Sequence, residues 1–367
     1  TNDNAMDFYG FNGYQSYFDY EKVDAGKDGD SYIYTPYYRT KRLAALFKAD
    51  FIGNLWDNKL FWEAGYHLSH FKQDAINRDK INKGKDDFEK FPDNEETLFE
   101  QYRKWGIIPD DVADGGTNST IRLGLLYDTR DKEAAPSSGI WAEAHIIAAP
   151  KWLGTTHENY KYCATFRHYV PIYRDRVTFA YRVGTQNNIA GKSPFYMNTY
   201  LNTLFIQRVM YEGLGGANSL RGIMRNRILA NGFAYANVEL RCKVAKFDIG
   251  RQHFYIGLAP FFDLGVITQP YELDEEALQA AYAADTDPLK LPLSSYFATY
   301  KTDEDNIGIT TEHLNQKKTY LPHMAAGLGL KAAMNENFVL SVDWAMALDK
   351  QDNAKWANFY IKMGYLF

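Results

Sequence analysis

The last nine residues of the chain set the terms for everything before them. Their odd positions read Phe359, Ile361, Met363, Tyr365 and Phe367, and their even positions Tyr360, Lys362, Gly364 and Leu366. A period of two places one set on each face of a β-strand, so one face is wholly apolar. The same alternation runs through 338–348, where Phe338, Leu340, Val342, Trp344, Met346 and Leu348 oppose Val339, Ser341, Asp343, Ala345 and Ala347. It recurs at 324–334, 254–266 and 233–244. In the last of these the second face carries Asn237, Glu239, Arg241 and Lys243, which is too charged for the core of a sandwich. With 176–188, 159–171, 139–148, 119–128, 59–71 and 41–53, the pattern predicts eleven strands.

The connections between them are uneven. Long ones fall at 72–118, 187–231 and 267–321, all on one end of a meander, while short turns fall mainly on the other. Outer-membrane barrels have this asymmetry, with short periplasmic turns and long extracellular loops; a compact soluble domain rarely tolerates such connections. A β-sandwich is the competing fold. Composition is compatible with both: 16% aromatic residues, including 28 Tyr and 23 Phe, with no apolar run long enough for a transmembrane helix. Two of the loops contain helical signals, with Asn94 expected to cap a helix that stops at Gly106, and Asp274 a second one. The odd strand count leaves the aromatic stretch 5–38 to supply one or two poorly alternating strands, because a barrel with both termini on the periplasmic side needs an even number.

Several chemistries find no support. A net charge of −5 gives no basic stripe for nucleic acid. The eight histidines show no metal-ligand spacing, Cys163 and Cys242 fall on opposite strand faces, and no cofactor is expected. No nucleophile elbow is present. The stretch EGLGGANSLRGIMRN at 212–226 superficially suggests a phosphate-binding loop, but Asn218 stands where the final glycine of that fingerprint belongs and no helix pattern follows. The chain starts at Thr1 without a basic-then-apolar leader, so any targeting peptide is expected to have been removed already.

Taken in order, LYDTRDKEAAPSSGIWAE at 126–143, FRHYVPI at 166–172, GLGGANSLRGI at 213–223, NVELR at 237–241, FFDLG at 261–265 and a strand ending in Phe367 resemble the bacterial surface antigen superfamily of outer-membrane barrels. That group contains BamA-, TamA- and FhaC-like proteins. The resemblance runs over about residues 119–367 and implies a transmembrane antiparallel barrel of about sixteen strands in the outer membrane of a Gram-negative bacterium; the barrel is expected to occupy the whole of 1–367, with no second domain. It implies a role in outer-membrane protein or envelope biogenesis, without enzymatic chemistry. Partners would be outer-membrane lipid and lipopolysaccharide, with periplasmic or outer-membrane assembly subunits. A plugged diffusion channel and an outer-membrane hydrolase are the alternatives.

The resemblance also makes 212–231 a loop folded back into the lumen. Gly215 and Gly216 lead to a tip at Leu220, Arg221, Gly222 and Ile223, with isoleucine where the superfamily has an aromatic. Its arginine is expected to meet Glu239 and Asp263. The alternation independently puts both acids on the inward face, where a charge needs a partner; general acid and base work is the other reading of such a pair. Asp128, Arg130 and Asp131 are expected in a short periplasmic turn with locally paired charges. Tyr365 and Phe367 are expected to end the last strand, as the terminal signal read in substrate barrels, with Phe367 in the lipid-facing row. Counting back from Phe367 makes 41–53 the sixth superfamily strand, so the first strands are expected to be missing from this sequence, and no POTRA domain is visible in it.

Overall fold

A computed structural model describes the chain except for residues 1–4, 20–34, 88–89, 203–211, 285–315 and 354–357. Twelve strands form one antiparallel sheet in which each pairs with its neighbours in sequence. They are β1 (Ala5–Asp7), β2 (Arg39–Trp56), β3 (Leu60–Asp74), β4 (Gly115–Asp128), β5 (Gly139–Ala149), β6 (Asn159–Tyr173), β7 (Val177–Gly191), β8 (Gly232–Ile249), β9 (Gln252–Gln269), β10 (His323–Met334), β11 (Phe338–Ala347) and β12 (Asn358–Met363). Eleven coincide with the alternating segments. The twelfth, β1, has three residues, too few to show a period, and pairs only with the start of β2. Among the described residues β1 and β12 do not pair with one another, so the sheet has two edges.

The sheet is apolar outside and polar inside. Leu123, Ile146, Val183, Leu240, Leu258, Phe262, Leu330, Leu340, Phe359 and Ile361 are exposed. On the opposite face Arg122, Glu143, Arg167, Arg182, Asn237, Glu239, Asp263, Lys331 and Asp343 are buried. Water would reverse that distribution, whereas a lipid-facing barrel requires it. No helix among the described residues is long and apolar enough to cross a membrane; the crossing elements are strands.

In an antiparallel meander alternate connections share an end, and the long ones between β3 and β4, β7 and β8, and β9 and β10 all share one. There the aromatic stretch Phe8–Phe18 packs with Phe71, Phe99, Tyr102, Ile108, Phe195, Tyr196, Leu229 and Tyr271 into a buried apolar core above the sheet. Four short helices contribute: α1 (Arg78–Asn82), α2 (Leu98–Lys104), α3 (Asp110–Ala113) and α4 (Glu275–Ala284). Asp274 Oδ1 accepts from Ala277 N at 3.0 Å, as a capping residue should.

The cap of α2 corrects the sequence reading. It is Thr97, not Asn94: Thr97 Oγ1 accepts from Glu100 N and Glu100 Oε2 accepts from Thr97 N, a reciprocal capping box. Those two satisfied donors start the helix one turn later, leaving Glu95 and Glu96 outside it. It stops where expected, at Gly106 with φ 72°.

Candidate functional site: the buried arginine of the 212–231 loop

The glycine-rich loop lies against the polar face of the sheet. Its two arms meet at an isolated bridge between Leu214 and Ile228, and Ser219 Oγ accepts from Gly215 N while donating to Gly215 O. Two glycines are needed for the path. At Gly215, φ 132°, a Cβ would come within 2.2 Å of Met224 O. At Gly222, φ 92°, it would come within 2.8 Å of Met346 C on β11. Gly216 also has positive φ, at 89°. Leu220 and Ile223 are buried with Leu214, Ile228, Phe233, Tyr235 and Ile267, so the isoleucine fills an apolar contact where an aromatic was the superfamily expectation.

This path delivers Arg221 to a fully buried position. Its Nε and Nη2 donate to Asp263 Oδ2 and Oδ1 at 2.9 and 3.0 Å, a bidentate pair, and its backbone N donates to Asp263 Oδ2 at 3.0 Å. Nη1 donates to Glu239 Oε1 at 2.6 Å and to Asp343 Oδ2 at 3.4 Å. The guanidinium lies over the Phe261 ring at 3.4 Å from its centroid. Burial alone would lower the pKa of Arg221, but Asp263 and then Glu239 outweigh it and raise it, so the group stays charged.

The network reaches further than the three residues named from sequence. Asp343 of β11 also receives Lys331 and, at 3.4 Å, Lys362 of β12. Lys362 Nζ donates to Ala217 O at 2.9 Å, and Tyr360 OH accepts from Gly222 N at 3.0 Å, so β12 holds the loop tip directly. Asp343 lay on the inward parity of its strand, which was a usable signal. What parity does not supply is which inward acid lies within reach of a side chain arriving from a distant loop.

Arg241, two residues from Glu239, donates to Glu239 Oε2 at 2.9 Å and to Phe367 O at 2.7 Å. That contact corrects the expectation for the last strand. β12 ends at Met363; Gly364 takes φ 89° and breaks the pleat, and the residues after it turn inward. Phe367 is buried against Tyr169 and Ala180, and Tyr365 lies under the Arg241 guanidinium at 4.0 Å. Phe367 is therefore not part of the lipid-facing row, because the interior offers it a cation and two apolar surfaces. In the turn after β4, Arg130 pairs with Asp128 through Nε and Nη2 at 2.9 and 2.8 Å, and Asp131 accepts from Ser137 N and Ser138 N.

The glycine-rich loop, the inward acids of β8 and β9 and the inside-out sheet occur here in one chain, and a family model for the Omp85 superfamily domain matches residues 10–367. The chain belongs to the Omp85 superfamily. Its fold is the antiparallel outer-membrane β-barrel of that superfamily, here with twelve described strands and no closing pair among them. No curated protein matches this Omp85 chain. Among solved structures it is similar to BamA from Haemophilus ducreyi lacking POTRA domains 1–3, at 15% identity and a TM-score of 0.48, over 88% of this chain and 53% of that one. It is also similar to CdiB from Escherichia coli, at 10% identity and a TM-score of 0.45, over 89% of this chain and 45% of that one. The Omp85 chain thus spans about half the length of these structures.

Within this Omp85 fold the arrangement suits mechanical anchoring better than proton transfer. Glu239 and Asp263 both spend their oxygens on guanidinium and backbone donors, and an acid–base pair needs one carboxyl free to hold a proton.

Proposed function

We propose that this chain is the membrane barrel of a protein that assembles or translocates other proteins at the outer membrane of a Gram-negative bacterium. The 212–231 loop is its lumenal plug. The observation that carries the reading is the buried Arg221 network, which ties one loop to β8, β9, β11 and β12 at once. A loop held by so many strands fixes the state of the barrel wall, a property that a simple diffusion pore does not need. The end with the long connections faces outside the cell and the short turns face the periplasm. Outer-membrane lipid and lipopolysaccharide meet the apolar outer face, and periplasmic or outer-membrane assembly subunits meet the turn end. The protein acts without a cofactor and without enzymatic chemistry.

Affinity purification from outer-membrane fractions tests this. Recovery of unfolded barrel precursors or assembly subunits with the full-length protein supports the reading. A large steady conductance in planar bilayers, with no protein recovered, would replace it with a channel.

A further inference from the structure

The interior wall formed by β3 to β6 contains two buried cations that form no ion pair with a carboxylate among the described residues. Arg122 on β4 and Lys161 on β6 flank Ile147 of β5 in register, so both project from the same inward row. They are 5% and 2% exposed. Arg122 Nη2 donates to Asn202 Oδ1 at 2.6 Å, which is a neutral acceptor. Arg122 Nε and Lys161 Nζ have no hydrogen-bond partner among the described residues. Asp50 of β2 is occupied by Lys48 and His67, each at 2.7 Å, and Glu63 of β3, buried with both oxygens unpartnered among the described residues, lies opposite Gly124 and forms no ion pair with Arg122. Glu143 lies beside His145 at 3.4 Å.

Both cations line one small cavity of about 30 Å³, together with His67, Thr120, Asn159 and Asn202. Leaving one buried ammonium and one buried guanidinium without counter-charge is costly. Thr120 and Asn159 already donate to other oxygens, so the unpartnered donors at the cavity are the two cationic groups, Arg122 Nε and Lys161 Nζ. A space of that size holds roughly two water-sized centres, enough for a halide and too small for a tetrahedral oxyanion with its hydration.

We infer that this cavity is a binding site for a small monovalent anion of chloride size, held between Lys161 Nζ and Arg122 Nε. The ion supplies the direct counter-charge that no described side chain gives these two groups. It makes the stability of the barrel depend on halide, not on ionic strength alone. This goes beyond the proposed function and does not rest on it.

The test uses the purified, folded chain in detergent, with sodium bromide as the probe. Crystals grown in bromide should show an anomalous peak within hydrogen-bond reach of Lys161 and Arg122. In solution, thermal unfolding in sodium chloride should occur at higher temperature than in sodium gluconate of equal ionic strength. Lys161→Met, which keeps the stem and removes the charge, should weaken bromide binding by about tenfold, the effect of losing one charge-assisted hydrogen bond, and abolish the chloride-specific increment. Absence of halide density in the cavity of the wild-type protein would overturn the inference. So would an equal chloride increment in wild type and Lys161→Met.

Discussion

Arg221 concentrates the energetics of the loop in one side chain. Removing it leaves Asp263 and Glu239 buried without their main cation, and loss of one member of a buried ion pair costs about 3–5 kcal/mol. Arg221→Ala should therefore lower the unfolding temperature of the detergent-solubilised barrel and expose 212–231 to protease. Arg221→Lys should recover only part of the loss, because an ammonium cannot reproduce the bidentate fork on Asp263. An unchanged melting curve for Arg221→Ala would show that the network does not hold the loop. Gly222→Ala probes the same anchor from the backbone side. With φ at 92° and Met346 in the way, it should cost about 1–3 kcal/mol and loosen the loop with the arginine still present, read as faster proteolysis at 212–226. Arg221 and its first two acids were legible in the sequence, since parity put Glu239 and Asp263 inward and the loop motif supplied the cation. Phe261 under the guanidinium was not, because a side chain on the same strand as Asp263 reveals neither its rotamer nor what crosses above it.

Among the elements, α2 shows how local sequence chemistry can be misplaced by a turn. Asn94 and Thr97 are both competent caps, and reciprocal bonding with Glu100 decides for Thr97. Thr97→Ala should cost about 1 kcal/mol, measured as reduced hydrogen-exchange protection of 98–104. Glu100 adds a pH dependence. Burial alone would raise its pKa, but the Thr97 N–H and hydroxyl and the Arg78 guanidinium together lower it. A folded pKa below the unfolded one gives stability that is present above the unfolded pKa and lost as pH falls through the folded one. The protection lost in Glu100→Gln relative to wild type should accordingly be largest near neutral pH, begin to shrink as pH falls through about 4, and vanish only below the lowered folded pKa; a difference that persists in still stronger acid would assign the effect to packing. At the other end of the chain, Gly364 decides the fate of its neighbours. The alternation of 359–367 continues on paper through Phe367, and only the left-handed glycine and the waiting Arg241 turn that residue inward.

Across the whole molecule the inversion of polarity is the controlling fact. Leu123 and Ile146 are paired across β4 and β5 and are 60% and 56% exposed. Arginine at such a site is nearly neutral in water but costs about 2–4 kcal/mol at a bilayer midplane. Leu123→Arg should therefore sharply reduce folding into lipid vesicles, assayed by gel-mobility shift, while Arg at the loop-end position Lys151 should not. Equal folding of the two variants would argue that the outer face does not meet lipid. The sequence by itself determined eleven of the strands, the face that side chains within them occupy and the end at which the long loops gather, because all three follow from a period of two and from counting. Only the tertiary structure decided that β1 pairs with β2, that Thr97 caps α2, that Phe367 lies inside and that Asp343 joins Arg221. Each of those depends on which groups arrive within a few ångströms of one another from distant parts of the chain, and no local period carries that distance.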